Sequence, residues 1–216
     1  MSLPDYGGAI EYARIRLNEQ LPQFLHYHNL HHTFGEVIPA ALLLAKQEGV
    51  STEESNLLHV AGAFHDIGWV IQGVNHESLS VDICHQILPG YGFSEDQLNR
   101  MAGMIVATRL PQTPTQKLEA ILADADMYSL GGEYFWKRNE DLRYETTVLR
   151  GPVSDREWFH QQIEFLESHR YQTEFAKDQQ EPKKKKYIYQ LRQYLSQNQP
   201  VKQPWDFPPM KAEAGQ

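Results

Sequence analysis

Apolar residues recur along this chain at the spacing of one helix face, and the alternation typical of a half-buried strand is scarce. The segment VIPAALLLAKQEGVS carries a wide apolar stripe that closes near Gly49, a natural helix stop. STEESNLLHVAGAFHDIG then begins with a capping signature. Ser51 or Thr52 can accept from free backbone N–H groups, and Glu53 and Glu54 suit the positive end of the helix dipole.

Further helical patterns are separated by proline and glycine clusters. They predict helices at about 76–88, 94–108, 115–129, 154–168 and 183–196. The prediction is an all-α protein with one compact, bundle-like domain at residues 1–198. Residues 199–216 are rich in proline and predict an extended tail.

Composition narrows the class of protein. A length of 216 residues favours one domain, and 41% hydrophobic with 22% charged residues is typical of a globular chain. The net charge of −8 argues against non-specific nucleic-acid binding, which needs a cationic surface. The basic run Lys183–Lys186 is the local exception, and it fits either a solvated face or a contact with an anionic ligand.

Location is predicted from what the sequence lacks. It has no run of about 18 apolar residues, so no membrane span is expected. Its first residues carry no basic segment followed by an apolar one. A single cysteine, Cys84, excludes an intramolecular disulfide and a zinc–thiolate cluster. A cytoplasmic protein is the expectation.

Three polar motifs interrupt the apolar pattern. HYHNLHH holds four histidines; His28 and His32 would share one face of a helix, with His31 pointing elsewhere. AGAFHDIGWV places His65 and Asp66 side by side in an apolar run, either on a metal ion or in a buried His–Asp hydrogen bond near a helix end.

The third motif, ILADADMYSLGG, sets two carboxylates in an apolar helical stretch. Asp124 could make a cap or salt bridge while Asp126 faces a metal, or both could begin the following turn. Together the three motifs offer mixed imidazole and carboxylate ligands, which suit one divalent ion: Mn, Fe, Co, Ni, Zn or, more weakly, Mg. Two imidazoles and two carboxylates leave coordination positions open to water, as a hydrolase needs.

The order of these motifs resembles the HD-domain superfamily of metal-dependent phosphohydrolases. YHNLHH, FHDIGW, NHESLS and LADADMYSLG match the family's motifs in sequence order, over roughly residues 25–132. QIEFLESHRYQT is similar to a helical C-terminal part of a small bacterial HD subfamily without an assigned substrate. The resemblance therefore implies an HD-domain-like bundle with a helical C-terminal extension.

Carried over residue by residue, the resemblance implies a metal site and flanking catalytic groups. The implied metal ligands are His32, His65, Asp66 and Asp126, with His31 as the fallback for His32. Asp126 is preferred to Asp124 because the second aspartate of an Asp-x-Asp pair usually ligates in relatives. The implied catalytic residues are Asp66, His28, His76 and Arg109.

The resemblance also implies a role for each catalytic residue. His28 faces the substrate as a candidate general acid, and His76 serves the phosphate or a second metal, oriented by Glu77. Binuclear relatives add a histidine pair near residues 94–108, where this chain has none, which favours a mononuclear site. Arg109 stands in that region as a candidate phosphate clamp, or alternatively as one half of a surface ion pair.

The predicted function is hydrolysis of a phosphate ester by a metal-activated water, with Asp66 or a neighbouring carboxylate as base and His28 or His76 as acid. The expected partner is a small phosphorylated substrate, first of all a nucleotide, and a homodimer would be unsurprising. One alternative is a catalytically silent HD module that senses a nucleotide or a metal. Another is an oxygenase-like HD enzyme, which would want a second metal and more histidines.

Overall fold

The computed structural model describes residues 3–196, and within that range the protein is helical without a β-strand. The helices of this range are α1 (Tyr6–Gln20), α2 (Ile38–Gln47), α3 (Thr52–Phe64), α4 (His76–Ile87), α5 (Glu95–Val106), α6 (Lys117–Asp126), α7 (Phe135–Arg150), α8 (Asp155–Ser168) and α9 (Glu174–Ser196). A π-helical segment, His32–Val37, leads into α2, and short 3₁₀ segments cover Ile67–Val70, Leu88–Tyr91 and Tyr128–Gly131. The predicted all-α class is confirmed.

Side-chain caps fix where several helices begin. Ser51 accepts from the backbone N–H of Glu54, and the Glu54 carboxylate accepts from the Ser51 N–H, which makes the predicted cap of α3 a capping box. Ser94 and Gln97 form the same reciprocal pair at the start of α5. The polar capping residues before each apolar stripe therefore fix where the helix begins, and this decides which side chains face the core.

The larger core lies among α1 to α6, with α3 at its centre. Leu57, Val60, Ala61 and Phe64 of α3 are fully buried, because this helix contacts α1, α2, α5 and α6 on different sides. An apolar surround of this kind is typical of a helix that lies inside a bundle rather than at its edge. It also explains why the end of α3 is a buried place.

A second core lies among α7, α8, α9 and the 3₁₀ turn that follows α6. Leu130, Phe135, Trp158, Phe159 and Leu191 are its main buried side chains. This is the predicted helical C-terminal extension, and its helices α8 and α9 pack against each other.

Two helices, α1 and α7, were not predicted. The predicted start of α9 and the predicted end of α6 were wrong. Helix α7 buries polar side chains, so its apolar period is weak. Helix α9 begins at Glu174, nine residues before the predicted 183, and it runs through Pro182. An interior proline costs a helix about 3 kcal/mol, and packing of α9 on both sides of Pro182 outweighs that cost.

The other wrong end is that of α6, which closes at Asp126 and passes into a 3₁₀ turn instead of reaching residue 129. No helix in the described part of the chain is both long and apolar enough to span a bilayer. The predicted tail at 199–216, and residues 197–198 of the predicted domain, lie outside the described residues.

Candidate metal centre

The histidine-rich motif turns into a helix at Asn29. The Asn29 side chain accepts from the backbone N–H of His32 at 3.0 Å and donates to the carbonyl of His26 at 2.6 Å. Asn29 therefore acts as the helix cap, since a capping amide satisfies a free N–H of the first turn. His32 is buried, whereas the His31 side chain is 72% exposed.

The prediction that His28 and His32 share a helix face was wrong. The helical segment begins at Leu30, after the Asn29 cap, so His28 lies in the preceding bend. The two imidazoles still come close, with ring centroids 6.1 Å apart. The bend, and not a helix, brings His28 to this site.

His65 and Asp66 lie where α3 ends. His65 keeps helical dihedral angles, but Asp66 leaves the helix, and its carboxylate Oδ2 comes to 3.2 Å from His65 Nε2. The His65 Nδ1–H donates to the carbonyl of Gly62 at 2.8 Å. That bond fixes the tautomer, so the Nε2 lone pair points into the site.

The turn after Asp66 is held by close backbone packing. Ser80 of α4 accepts from the Gly68 N–H at 2.9 Å and donates to the His65 carbonyl at 2.8 Å. A Cβ on Gly68 would lie 2.1 Å from the carbonyl oxygen of His76. The glycine of the FHDIGW motif is therefore required for α4 to approach, and this approach delivers His76.

Four buried side chains from three elements converge on one point. His32 Nε2, from the π-helical segment, lies 3.1 Å from Asp126 Oδ1 and 3.7 Å from Asp66 Oδ2. His65 Nε2 lies 3.7 Å from Asp126 Oδ1, at the end of α6. One ligand atom each of His32, His65 and Asp66 lies within 4.8 Å of the other two. The structure thus brings together all four predicted ligands, with Asp126 3.1 Å from His32 and 3.7 Å from His65.

Two buried atoms of this group are left without a hydrogen bond. His65 Nε2 and Asp66 Oδ2 face each other, but the contact lacks hydrogen-bond geometry. A buried polar atom without a partner is costly and needs an explanation. Two imidazole nitrogens with carboxylate oxygens form a donor set suited to a first-row divalent ion. The residues therefore fit the metal site that the sequence predicts.

The electrostatics of the cluster also favour a cation. Burial lowers the pKa of His65, but the Asp66 charge and Asp126 outweigh it, and the net pKa is raised well above the usual value. Burial would raise the pKa of Asp66, but the charge of His65 holds it well below its usual range. Burial would raise the pKa of Asp126, but its hydrogen bond to His32 and the nearby His65 imidazole lower it. The negative charge of these carboxylates is balanced either by protonated imidazoles or by a metal ion bound between the side chains.

Asp124 and Asp126 have different surroundings although they are two residues apart. Asp124 accepts from the backbone N–H groups of Gln172 and Thr173 and from the Thr173 hydroxyl, each at 2.7 Å. It thereby fastens the segment before α9 to α6. The interpretation in which Asp124 caps and Asp126 faces the site matches this arrangement.

His76 adds a third imidazole on the open side of the cluster. Its Nδ1–H donates to the Gly73 carbonyl at 3.1 Å, and its Nε2 lies 3.2 Å from Asp66 Oδ1. Glu77 Oε1 is 3.8 Å from the same nitrogen. Burial lowers the pKa of His76, but the bond to Asp66 raises it overall.

Arg109 reaches the edge of this site rather than its floor. Its Nη2 donates to the Ser78 hydroxyl at 2.6 Å, and its Nε lies 3.4 Å from Glu77 Oε2. The Arg109 side chain is 41% exposed. These contacts are the surface ion pair foreseen as the alternative, and the phosphate clamp stays a prediction.

His28 is held by a residue that sequence reasoning missed. The Glu145 carboxylate accepts from the backbone N–H groups of Tyr27 and His28, each at 3.1 Å, and makes a very short contact with His28 Nδ1. The His28 ring stacks on Trp69 with centroids 4.4 Å apart. Glu145 lies in α7, 117 residues after His28 in the sequence, so no local pattern predicts this contact.

Glu36 and Arg138 are two further missed residues. Glu36 Oε2 lies 3.3 Å from His32 Nδ1, and the Arg138 guanidinium lies 3.1 Å from the same carboxylate. Carboxylates behind a ligand histidine orient its ring and raise its basicity. The four-residue spacing from His32 to Glu36 on a helical segment could have revealed Glu36. No such spacing predicts the contact of Arg138, which lies about 100 residues further along the sequence.

Comparison with known proteins supports the fold. Neither the family models nor the curated proteins gave a match to this chain. A solved structure described as a predicted HD superfamily hydrolase, from an uncultured Thermotogales bacterium, superposes with a TM-score of 0.59 at 20% identity, covering 90% of this chain and 93% of that one. The chain therefore has the all-α fold of this HD superfamily protein, and the resemblance predicted from the motifs is confirmed at the level of the fold.

Proposed function

We propose that this protein is a metal-dependent phosphohydrolase that cleaves a phosphate ester of a nucleotide or similar small molecule. The observation that carries the proposal is the buried group of His32, His65 and Asp66, with two polar atoms left unpaired at its centre. The HD-type fold of the chain supports it.

One divalent ion would be held by His32, His65, Asp66 and Asp126. When bound, such an ion lowers the pKa of a water ligand and polarises a phosphoryl oxygen. Glu36 supports the site from outside, because it orients the His32 ring through Nδ1.

The chain's own residues supply proton transfer around that site. Asp66 accepts a proton from the attacking water through a carboxylate oxygen on the side of His76. His28, whose Nδ1 is occupied by Glu145, is left with Nε2 to protonate the leaving oxygen. The bond from phosphorus to the leaving oxygen breaks as the bond to water oxygen forms. His76 and Arg109 border the space for the phosphate.

The test combines metal analysis with phosphate release. Wild-type protein is expected to hold about one equivalent of a divalent ion and to release phosphate from at least one member of a panel of nucleotides and simple esters. Asp66→Ala should lose both properties, because it removes a buried ligand. Asp82→Ala, an exposed aspartate in α4, is the matched control and should keep both.

Three outcomes would contradict the proposal. Full activity with stoichiometric metal in Asp66→Ala would show that the cluster is not the reaction centre. Metal retention in wild type without turnover of any ester would instead favour the silent sensor. Two equivalents of iron with oxygen consumption would favour the oxygenase-like alternative.

A further inference from the structure

We propose that a cavity of about 150 Å³ beside His28 receives the leaving group of the phosphate ester and selects an alcohol with one compact ring. The proposal rests on the phosphohydrolase activity proposed above, because it takes the His–Asp cluster as the place where the phosphoryl group binds. It narrows the substrate from a nucleotide to the phosphate ester of a smaller ring alcohol. We call this space the ring cavity; its apolar wall is formed by Leu110, Met127, Leu130, Phe135, Leu142 and Phe165.

The position of His28 connects the ring cavity to the cluster. His28 lines the cavity, and its ring also stacks on Trp69 and lies 5.9 Å from His76 and 6.1 Å from His32, measured between centroids. A phosphoryl group at the cluster and an organic group in the cavity would thus be joined next to this imidazole. The ester bond that breaks would therefore lie next to His28, and the oxygen of the leaving group needs a proton as this bond breaks.

Most polar side chains in the wall already have partners: Arg138 donates to the Tyr27 carbonyl at 2.7 Å, and Ser129 bonds the Tyr27 hydroxyl. Asn139 and Gln162 are linked to each other and to Trp158 behind them. Trp158 Nε1–H donates to Asn139 Oδ1 at 2.8 Å, and Asn139 Nδ2 donates to Gln162 Oε1 at 2.6 Å. Since an indole can only donate, it fixes the orientation of both amides. The Gln162 amino group is the end of this relay, and Gln162 lines the cavity. Apart from His28 at the side of the cluster, the wall therefore offers apolar contact and the Gln162 amino group as a hydrogen-bond donor.

Size and polarity together define the leaving group. A cavity of about 150 Å³ with apolar walls holds a benzene-sized ring. A hydroxyl-rich sugar would leave several polar groups without partners against this wall, at a cost for each. A fused two-ring system would exceed the volume. The chemistry that fits is a single aromatic or aliphatic ring with at most one hydrogen-bond acceptor.

The experiment measures binding before turnover. Benzylphosphonate and methylphosphonate carry the same anionic group and are not hydrolysed, so their Kd ratio reports the ring alone. Manganese-loaded wild type is expected to bind benzylphosphonate at least about tenfold more tightly, as burial of one ring implies. Leu142→Trp should remove this preference and leave the affinity for methylphosphonate unchanged.

Two further variants serve as a control and as a replacement test. Leu149→Trp makes the same change at an exposed position of α7 and should keep the preference. If Leu142→Trp does not fold, Phe165→Leu carries the test, because a larger cavity should shift phosphate release from benzyl phosphate toward naphthylmethyl phosphate. Equal affinity of wild type for the two phosphonates would overturn the proposal, as would a preference that survives in Leu142→Trp.

Turnover separates this inference from the proposed function. Phosphate release that favours glycerol phosphate or uridine monophosphate over benzyl phosphate overturns the ring cavity and leaves the phosphohydrolase standing. No release from any ester and no binding of either phosphonate overturn both. Benzyl phosphate as the best substrate, with the preference lost in Leu142→Trp, supports both.

Discussion

The two cores of this protein bury charge in opposite ways. Within α1 to α6, the buried His65 and Asp66 converge on a point where polar atoms are left unpaired. Within α7 to α9, the buried cation Lys184 donates to the His169 carbonyl at 2.8 Å and reaches Glu181 at 2.9 Å. One arrangement leaves ligand atoms open for an ion, and the other uses its charges to fasten helices.

The two arrangements differ in what they cost the folded state. Buried ion pairs contribute little net stability even when well paired, and removing one partner is strongly destabilising. The open arrangement at His65 and Asp66 is therefore a cost that the surrounding apolar core must outweigh.

Replacing the buried histidine of the His31–His32 pair should have the largest effect. His32→Gln removes a ligand nitrogen, so bound metal and phosphate release should both fall below detection, a larger loss than the roughly 10–100-fold cost of an outer partner. His31→Gln should keep both, because the His31 side chain points to solvent. Metal analysis and phosphate assays on the two variants check this. Equal behaviour of the two variants would mean that His32 is not a ligand.

Glu145 is the point where the second core reaches the first. Glu145→Gln should lower kcat by roughly 10–100-fold, as loss of an orienting carboxylate typically does, while the bound metal remains. The loss should be larger for an alkyl phosphate than for a nitrophenyl phosphate, whose leaving oxygen needs no proton. Glu140→Gln, on the same helix, is the control. A uniform loss across leaving groups would show a merely structural role.

His169 tests the structural character of the second core. Burial first, and then the neighbouring Lys184 charge, lower its pKa to about 4 from 6.5. The unfolded chain thus takes up this proton more readily than the folded one, so stability falls as pH decreases through 6.5 toward 4. Between pH 7 and pH 5 the folded state should lose about 2 kcal/mol from this group.

The measurement is denaturant unfolding at both pH values. His169→Asn keeps an acceptor near Lys184 without a titrating group, so its stability should fall by about 2 kcal/mol less than that of wild type over this range. The same pH dependence in both proteins would assign the titration to other groups.

Arg109 is expected to give the smallest effect. Arg109→Gln should raise KM by about threefold to tenfold with kcat nearly unchanged if its fork also contacts phosphate, and it should cost less than about 1 kcal/mol of stability. Arg100, which pairs with Glu54 at 3.4 Å on the surface, provides the matched variant Arg100→Gln. Identical KM values in the two variants would leave Arg109 as a surface ion pair only.

Local sequence was a good guide where a signal is short-range. The capping signature at Ser51 predicted where α3 starts, and the apolar residues around His65 and Asp66 indicated that the pair is buried. It failed where tertiary contacts override local preference. Helix α9 continues through Pro182 because its flanking residues are packed, and α7 escaped notice because it buries polar side chains.

The helical class and the motif residues that could meet at one site follow from the amino-acid sequence, because periodicity and residue type are local properties. The tertiary structure separates Asp124, which fastens the segment before α9, from Asp126, which faces the imidazoles; helix periodicity alone leaves their roles open. It also decided that Glu145 holds His28, and that a ring-sized cavity lies beside that histidine. Contacts across more than 100 residues depend on how helices pack, and no local pattern records them.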